Sequence, residues 1–309
     1  DIFAPEHLGS PAPANARHVV DAGRWAFAEV PAAEGAAERA LSSPHGLLRS
    51  PWNANPAPFL TRSTDLYGRV WEGLPRCGTL GAMFAAKAFG EFAWYLNGFS
   101  HGPVHIATGG AWGHPNAQLL RDLGMAGHNV LYSKHLWRMG FMRCPAAGTC
   151  TGGDDAECAC SCPAEARRGL SAYQILHHET RLLNWIERYS SGAVLKSEDE
   201  KRYFLRDVPR DDEAAQAAAW EEVLAALCTP GSVGEMYTSA SPLDPLFWVI
   251  HPTTERLWFW KLLNPAAAGF KDAWGYRYGT VPSDTGLVCD WAAADAQEAA
   301  WAAEGEGEG

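Results

Sequence analysis

The chain has 309 residues, 47% hydrophobic and 20% charged, with 14 tryptophans and a formal net charge of −11 at pH 7. That length suits one large domain or two small ones with a substantial aromatic-rich core. The acidic balance argues against a nucleic-acid partner, whose phosphates need clustered cations, and no apolar run reaches the ~18 residues of a membrane span.

The chain opens at Asp1 without an initiator Met or a signal-like stretch, so it reads as processed or as a portion of something longer. Residues 1 to about 60 are rich in Pro, Ala and Ser. The stretch "SPHGLLRSPWNANPAPFLTR", residues 43–62, is expected to be an ordered loop with little helix, because its prolines lack amide donors. Residues 79–99 carry apolar side chains at helical spacing, which predicts a buried helix with His101 just beyond it. A second helix is expected over 115–137, ending near "SKHLWR".

The segment "CPAAGTCTGGDDAECACSCP" holds five of the eight cysteines: Cys144, Cys150, Cys158, Cys160 and Cys162. The others, Cys77, Cys228 and Cys289, are scattered. An even count with a local cluster predicts at least two disulfides within or adjacent to residues 144–162, and an oxidising compartment. With five cysteines there, at least one pairs outside the cluster or stays free. A zinc knuckle is the competing reading, but no CxxC pair occurs. Further helices are expected over 170–189, over 211–227 with an acidic first turn that suits the helix dipole, and over 244–263. The tail after Asp290 drifts into "EGEGEG" and is expected to be solvated and disordered. The fold class is therefore mainly α with long irregular connections. The domain division is 1–290, carrying a Cys-rich insertion at about 140–165, followed by a 291–309 tail.

Two motifs carry chemistry. In "FSHGPVHIATGG", His101 and His105 are four apart, which on a helix points both rings to one side and within reach of one ion. Pro103 is tolerable only in a first turn, so Ser100 or a neighbour should cap that helix. In "SPLDPLFWVIHPTTERLW", Asp244 and Pro245 should start a helix as cap and first residue, with His251 two turns in. Arg256, one turn on, could bond a carboxylate or carbonyl that orients the site. Three neutral imidazoles suit copper, zinc or non-haem iron.

"HGPVHIATGG" together with "MYTSASPLDPLFWVIHPTTERLW" resembles the second copper half-site of the type-3 copper proteins: tyrosinases, catechol oxidases and haemocyanins. "LLRSPWNANPAPFLTR" resembles the linker that precedes that half-site, so the likeness spans roughly residues 45–112 and 230–263. It implies a tyrosinase-like helical core with a disulfide-rich insertion. It also implies His101, His105 and His251 as the ligands of one copper, with Phe247 packed against them.

The chain departs from the family pattern. Gly102 follows the first ligand where many tyrosinases carry Asn, Ile250 stands where another histidine often precedes the ligand, and Pro252 follows His251. His251 lies far beyond His105, so the cysteine-rich segment reads as an insertion. Upstream of His101 only His7, His18 and His45 occur, none in a helix of the kind that holds the family's first copper. His135 in "SKHLWR" and the His177–His178 pair are the remaining candidates, with at most one ring of that pair facing inward. His114 and His128 carry no readable signal.

The family's oxidase chemistry needs two coppers, each on three imidazoles. The expectation is therefore a secreted, extracellular or cell-surface protein with at most one copper site, zinc being possible, and a structural or assembly role with protein partners. One alternative is a copper-dependent phenol or catechol oxidase whose first site lies on a missing upstream segment, acting on a phenolic small molecule. The other is haemocyanin-like oxygen binding.

Overall fold

In the computed structural model, residues 2–4, 6–31, 43, 48–145, 159–199, 201–264 and 269–271 are described. Cys150, Cys158 and Cys289, His45, and the expected 291–309 tail lie outside them. The described architecture is mainly helical, with two small antiparallel β-pairs. No helix among these residues is long and apolar enough to cross a membrane.

The proline-rich start contains no helix among the described residues and makes only isolated bridges, Val19 with Thr61 and Glu29 with Phe59. Where one buried helix is expected over 79–99, the structure has three pieces. These are α1 (Cys77–Ala85), α2 (Phe89–Trp94) and a wider π-helical turn, Tyr95–His101, which leads directly into α3 (Gly102–Gly109). The break falls where Ala86 and Ala88 are extended and Ala88 bridges Lys271, so the backbone there pairs outward instead of continuing the helix. Only Met83 and Phe92 of α1 and α2 are fully buried, so the apolar spacing overstated the burial.

The expected 115–137 helix divides into α4 (Ala117–Asp122), a 3₁₀ turn and α5 (Asn129–Arg138), because Gly124 takes a left-handed conformation. Next come α6 (Ala164–Arg167) and α7 (Ala172–Gln174). Ser171 caps α7 with a full capping box: its side chain accepts from the Gln174 amide while Gln174 accepts from the Ser171 amide. Residues 175–179 are π-helical, and Arg181 at φ +52° separates them from α8 (Leu182–Tyr189). The long α9 (Glu213–Leu227) is capped by Asp212, whose carboxylate accepts from the Ala215 amide, and Glu213 lies in its first turn. The last helix, α10 (Phe247–Leu263), runs through Pro252.

The main core gathers α4, α5, α7, α8 and α9 around Tyr132, Leu136, Ile175, Leu183, Ile186 and Trp220. Trp52 and Trp220 are buried, but Trp25, Trp248 and Trp260 are exposed, so the tryptophans do not all belong to the interior. A smaller cluster, Met83, Ala86 and Phe92, packs α1 and α2 against Leu257 and Trp258 of α10. β1 (Ala111–Trp112) pairs with β4 (Ser232–Val233), Ala111 opposite Val233, while β2 (Val194–Lys196) and β3 (Tyr203–Leu205) form the second pair. Two disulfides are present among the described residues, Cys144–Cys160 and Cys162–Cys228, and Cys77 is free and exposed. Three cluster cysteines are thus crosslinked, one of them to a partner outside the cluster, and such bonds fit an oxidising compartment.

Candidate metal centre

α3 and α10 bring His101, His105 and His251 together. Nε2 of His101 lies 2.7 Å from Nε2 of His105 and 3.0 Å from Nε2 of His251. Each residue offers one ligand atom, and these atoms lie within 4.8 Å of one another. Tetrahedral coordination with bonds of ~2.0–2.1 Å would set ligand nitrogens about 3.3 Å apart, so small ring rotations adapt the trio to one ion. The donor set fits a first-row metal that favours imidazole.

His101 ends the π-helical turn and His105 follows on the first full turn of α3, with Pro103 at the start of that helix. Ser100 does not cap it; its hydroxyl meets the Met83 sulfur, and the helix needs no cap there because the chain enters it from the preceding helical turn. Nδ1 of His105 donates to the Met236 carbonyl at 2.7 Å, which leaves Nε2 unprotonated and facing the other two rings. Burial, then the neighbouring His105 and His251 rings, push His101 down to about 4. Burial lowers His105 and His251 as well. All three are therefore in the neutral, ligating form near pH 7. Phe247 stacks on His251 at 3.7 Å between ring centroids and closes one side of the trio. A cavity of about 350 Å³ opens beside His101 and His251, walled by Phe89, Phe92, Leu96 and Trp258.

The Met236 carbonyl reaches His105 because Gly109 and Gly110 admit the 234–237 segment. A Cβ on Gly109 would lie 2.3 Å from the Tyr237 nitrogen, and Gly110 has φ +65° with the Ser63 carbonyl 2.5 Å from where its Cβ would be. That segment is anchored by a buried ion pair: Arg49 Nε donates to Glu235 at 2.5 Å, and the Thr61 amide and hydroxyl donate to the other carboxylate oxygen. Burial pushes the Glu235 carboxyl upward, while Arg49 and Thr61 pull against it. A second buried pair holds the entrance to α10, where Arg62 grips both oxygens of Asp244 at 2.7 Å.

Asp244 is therefore not the simple cap expected of it. Its carboxylate accepts from the Leu246 amide within a turn, and α10 starts three residues later at Phe247. Arg256 does not orient the site either; it is exposed and has no hydrogen-bonded or ionic partner among the described residues. The two buried arginine–carboxylate pairs were missed from the sequence. Their only signal was Arg49 and Arg62 standing in a proline-rich apolar loop, and nothing in the sequence announces a backbone carbonyl as a ligand's partner.

Among the described residues, the other histidines do not join the trio. His135 is buried and pairs with the Thr180 carbonyl, and His177 pairs with the Lys201 carbonyl while His178 is exposed. His114 meets the Ala226 carbonyl, His18 packs on Trp112, and His128 is stacked on Tyr189. Among the described residues, His101, His105 and His251 form the one group arranged to hold a metal ion. No protein-family model, curated protein or solved structure matches the chain.

Proposed function

We propose that this chain is a secreted tyrosinase-like protein that binds one metal ion through His101, His105 and His251 and has a structural or assembly role. Copper is the favoured ion, and zinc suits the same donors. The observation that carries this reading is the convergence of three neutral imidazole nitrogens within 4.8 Å, without a second such group among the described residues. A bound copper would supply a redox-active Lewis acid; a bound zinc would supply a Lewis acid without redox chemistry.

The chain's own residues set what happens around the ion. The Met236 carbonyl fixes the His105 tautomer, Phe247 shields one side of His251, and the aromatic cavity beside His101 admits a flat apolar molecule. That cavity favours a second reading, a phenol or catechol oxidase in which another three-histidine set is supplied from elsewhere. Metal analysis after loading with Cu(II) or Zn(II), paired with a catechol assay, separates the two. One ion per chain, lost on replacing any of the three histidines, with no sustained turnover, supports the structural reading. Two coppers per chain with turnover would replace it by the oxidase.

A further inference from the structure

α10, "FWVIHPTTERLWFWKLL", is apolar on nearly every side, a pattern that normally belongs to a helix enclosed by its surroundings. Yet Lys261 is its one buried residue. Its exposed positions form five successive rungs, 248/249, 252/253, 255/256, 259/260 and 262/263, so each stripe advances by alternating steps of four and three. That is the heptad spacing by which one helix packs along another. Trp248 is 64% exposed, Phe259 50% and Leu263 79%, so the outer rungs are large and apolar. The middle rung carries the only exposed charges of the face, Glu255 and Arg256, and neither has a hydrogen-bonded or ionic partner among the described residues.

This arrangement is self-complementary. We propose that the outward face of α10 pairs with the same face of a second copy of this chain, antiparallel, about a two-fold axis between Glu255 and Arg256. Glu255 of one copy then faces Arg256 of the other, twice. Pro252 meets Phe259, and Trp248 meets Leu263, at each end. A closed two-fold contact of this kind satisfies both charges and covers the aromatic ends with one surface. An unlike partner would need its own matching order of apolar, charged and apolar rungs. The inward side of α10, with His251, takes no part, so the pairing does not depend on the metal reading.

The test is sedentation equilibrium by analytical ultracentrifugation on the full chain, with single variants Glu255→Arg and Arg256→Glu. The wild type is expected to dimerise, with weak affinity because a two-helix contact lies at the small end of specific interfaces. Each single reversal sets like charges opposite each other at both central contacts and raises the dissociation constant about tenfold or more. An equimolar mixture of the two variants restores both opposite-charge contacts and forms a heterodimer. Circular dichroism should be unchanged, since both side chains are exposed. A wild type that stays monomeric at roughly 100 µM, or a dimer indifferent to the reversals, overturns the proposal; the latter would place the contact on another face.

Discussion

His105 carries the site's most constrained hydrogen bond. One ring nitrogen is committed to the Met236 carbonyl, and the other is left as a lone-pair donor 2.7 Å from His101. Replacing His105 with alanine removes both functions and should lower metal affinity at least 100-fold, as seen by isothermal titration with Zn(II); His101→Ala should do the same. Another histidine reports on stability. His128 is packed between Tyr132 and Tyr189, and burial pushes it down to about 4. With the folded value below the ordinary 6.5, the unfolded chain binds more protons between pH 6.5 and 4. Its contribution is thus fully present above pH 6.5 and is lost as pH falls through that window, on the order of 3 kcal/mol in all. Urea unfolding at pH 7 and pH 4.5 should show a smaller acid loss for His128→Phe than for the wild type, although the other lowered histidines keep part of the slope.

α10 and the 234–237 segment owe their placement to two charged contacts made far away in sequence. Arg49–Glu235 and Arg62–Asp244 are fully buried and join the proline-rich loop to both sides of the metal centre. Removing one member leaves an uncompensated buried charge, so Arg49→Met should destabilise the fold by about 3–5 kcal/mol in chemical denaturation. The double variant Arg49→Met with Glu235→Leu should recover only the part due to the lone charge, because the Asn55, Ala57 and Phe59 carbonyls still lose the Arg49 donors and Thr61 loses its acceptor. If the loop only fills space, the single variant would cost no more than the double one. Among the helices, α9 was readable because an acidic first turn and a regular run of good helix formers agree with its surroundings. α1 and α2 were not, because their break depends on the extended backbone at Ala86 and Ala88 and on pairing with Lys271, 183 positions after Ala88.

At the scale of the whole molecule, the two disulfides among the described residues tie the segment after α5 and residues 160–162 to each other and to the main core. Cys162–Cys228 closes a separation of 66 residues and Cys144–Cys160 one of 16. Chain-entropy reasoning assigns about 4 kcal/mol to the longer crosslink and about 3 kcal/mol to the shorter. Cys162→Ala with Cys228→Ala should therefore lower the melting temperature more than Cys144→Ala with Cys160→Ala, by differential scanning calorimetry. The three histidines of the trio lie on the π-helical turn, α3 and α10, none of which carries a crosslinked cysteine. The Cys162–Cys228 variant should accordingly keep its metal stoichiometry while it remains folded.

The sequence by itself determined the mainly helical character and the start of α9, and its spacing singled out His101 and His105 as candidate ligands, with His251 joining them only through the family resemblance. Helical periodicity and the four-residue spacing of His101 and His105 are local properties that survive in any fold containing that turn. It also indicated that the cysteine cluster would be crosslinked, since so many cysteines beside glycines and acidic residues leave little else to hold the segment. Only the tertiary structure decided that His251 meets the other two rings, that the Met236 carbonyl sets the His105 tautomer, and that Arg49 and Arg62 anchor the site. Those contacts join residues 131 to 186 positions apart. Their existence depends on backbone approach at Gly109 and Gly110 and on the burial of charge against charge. Neither is written in the periodicity of any one segment.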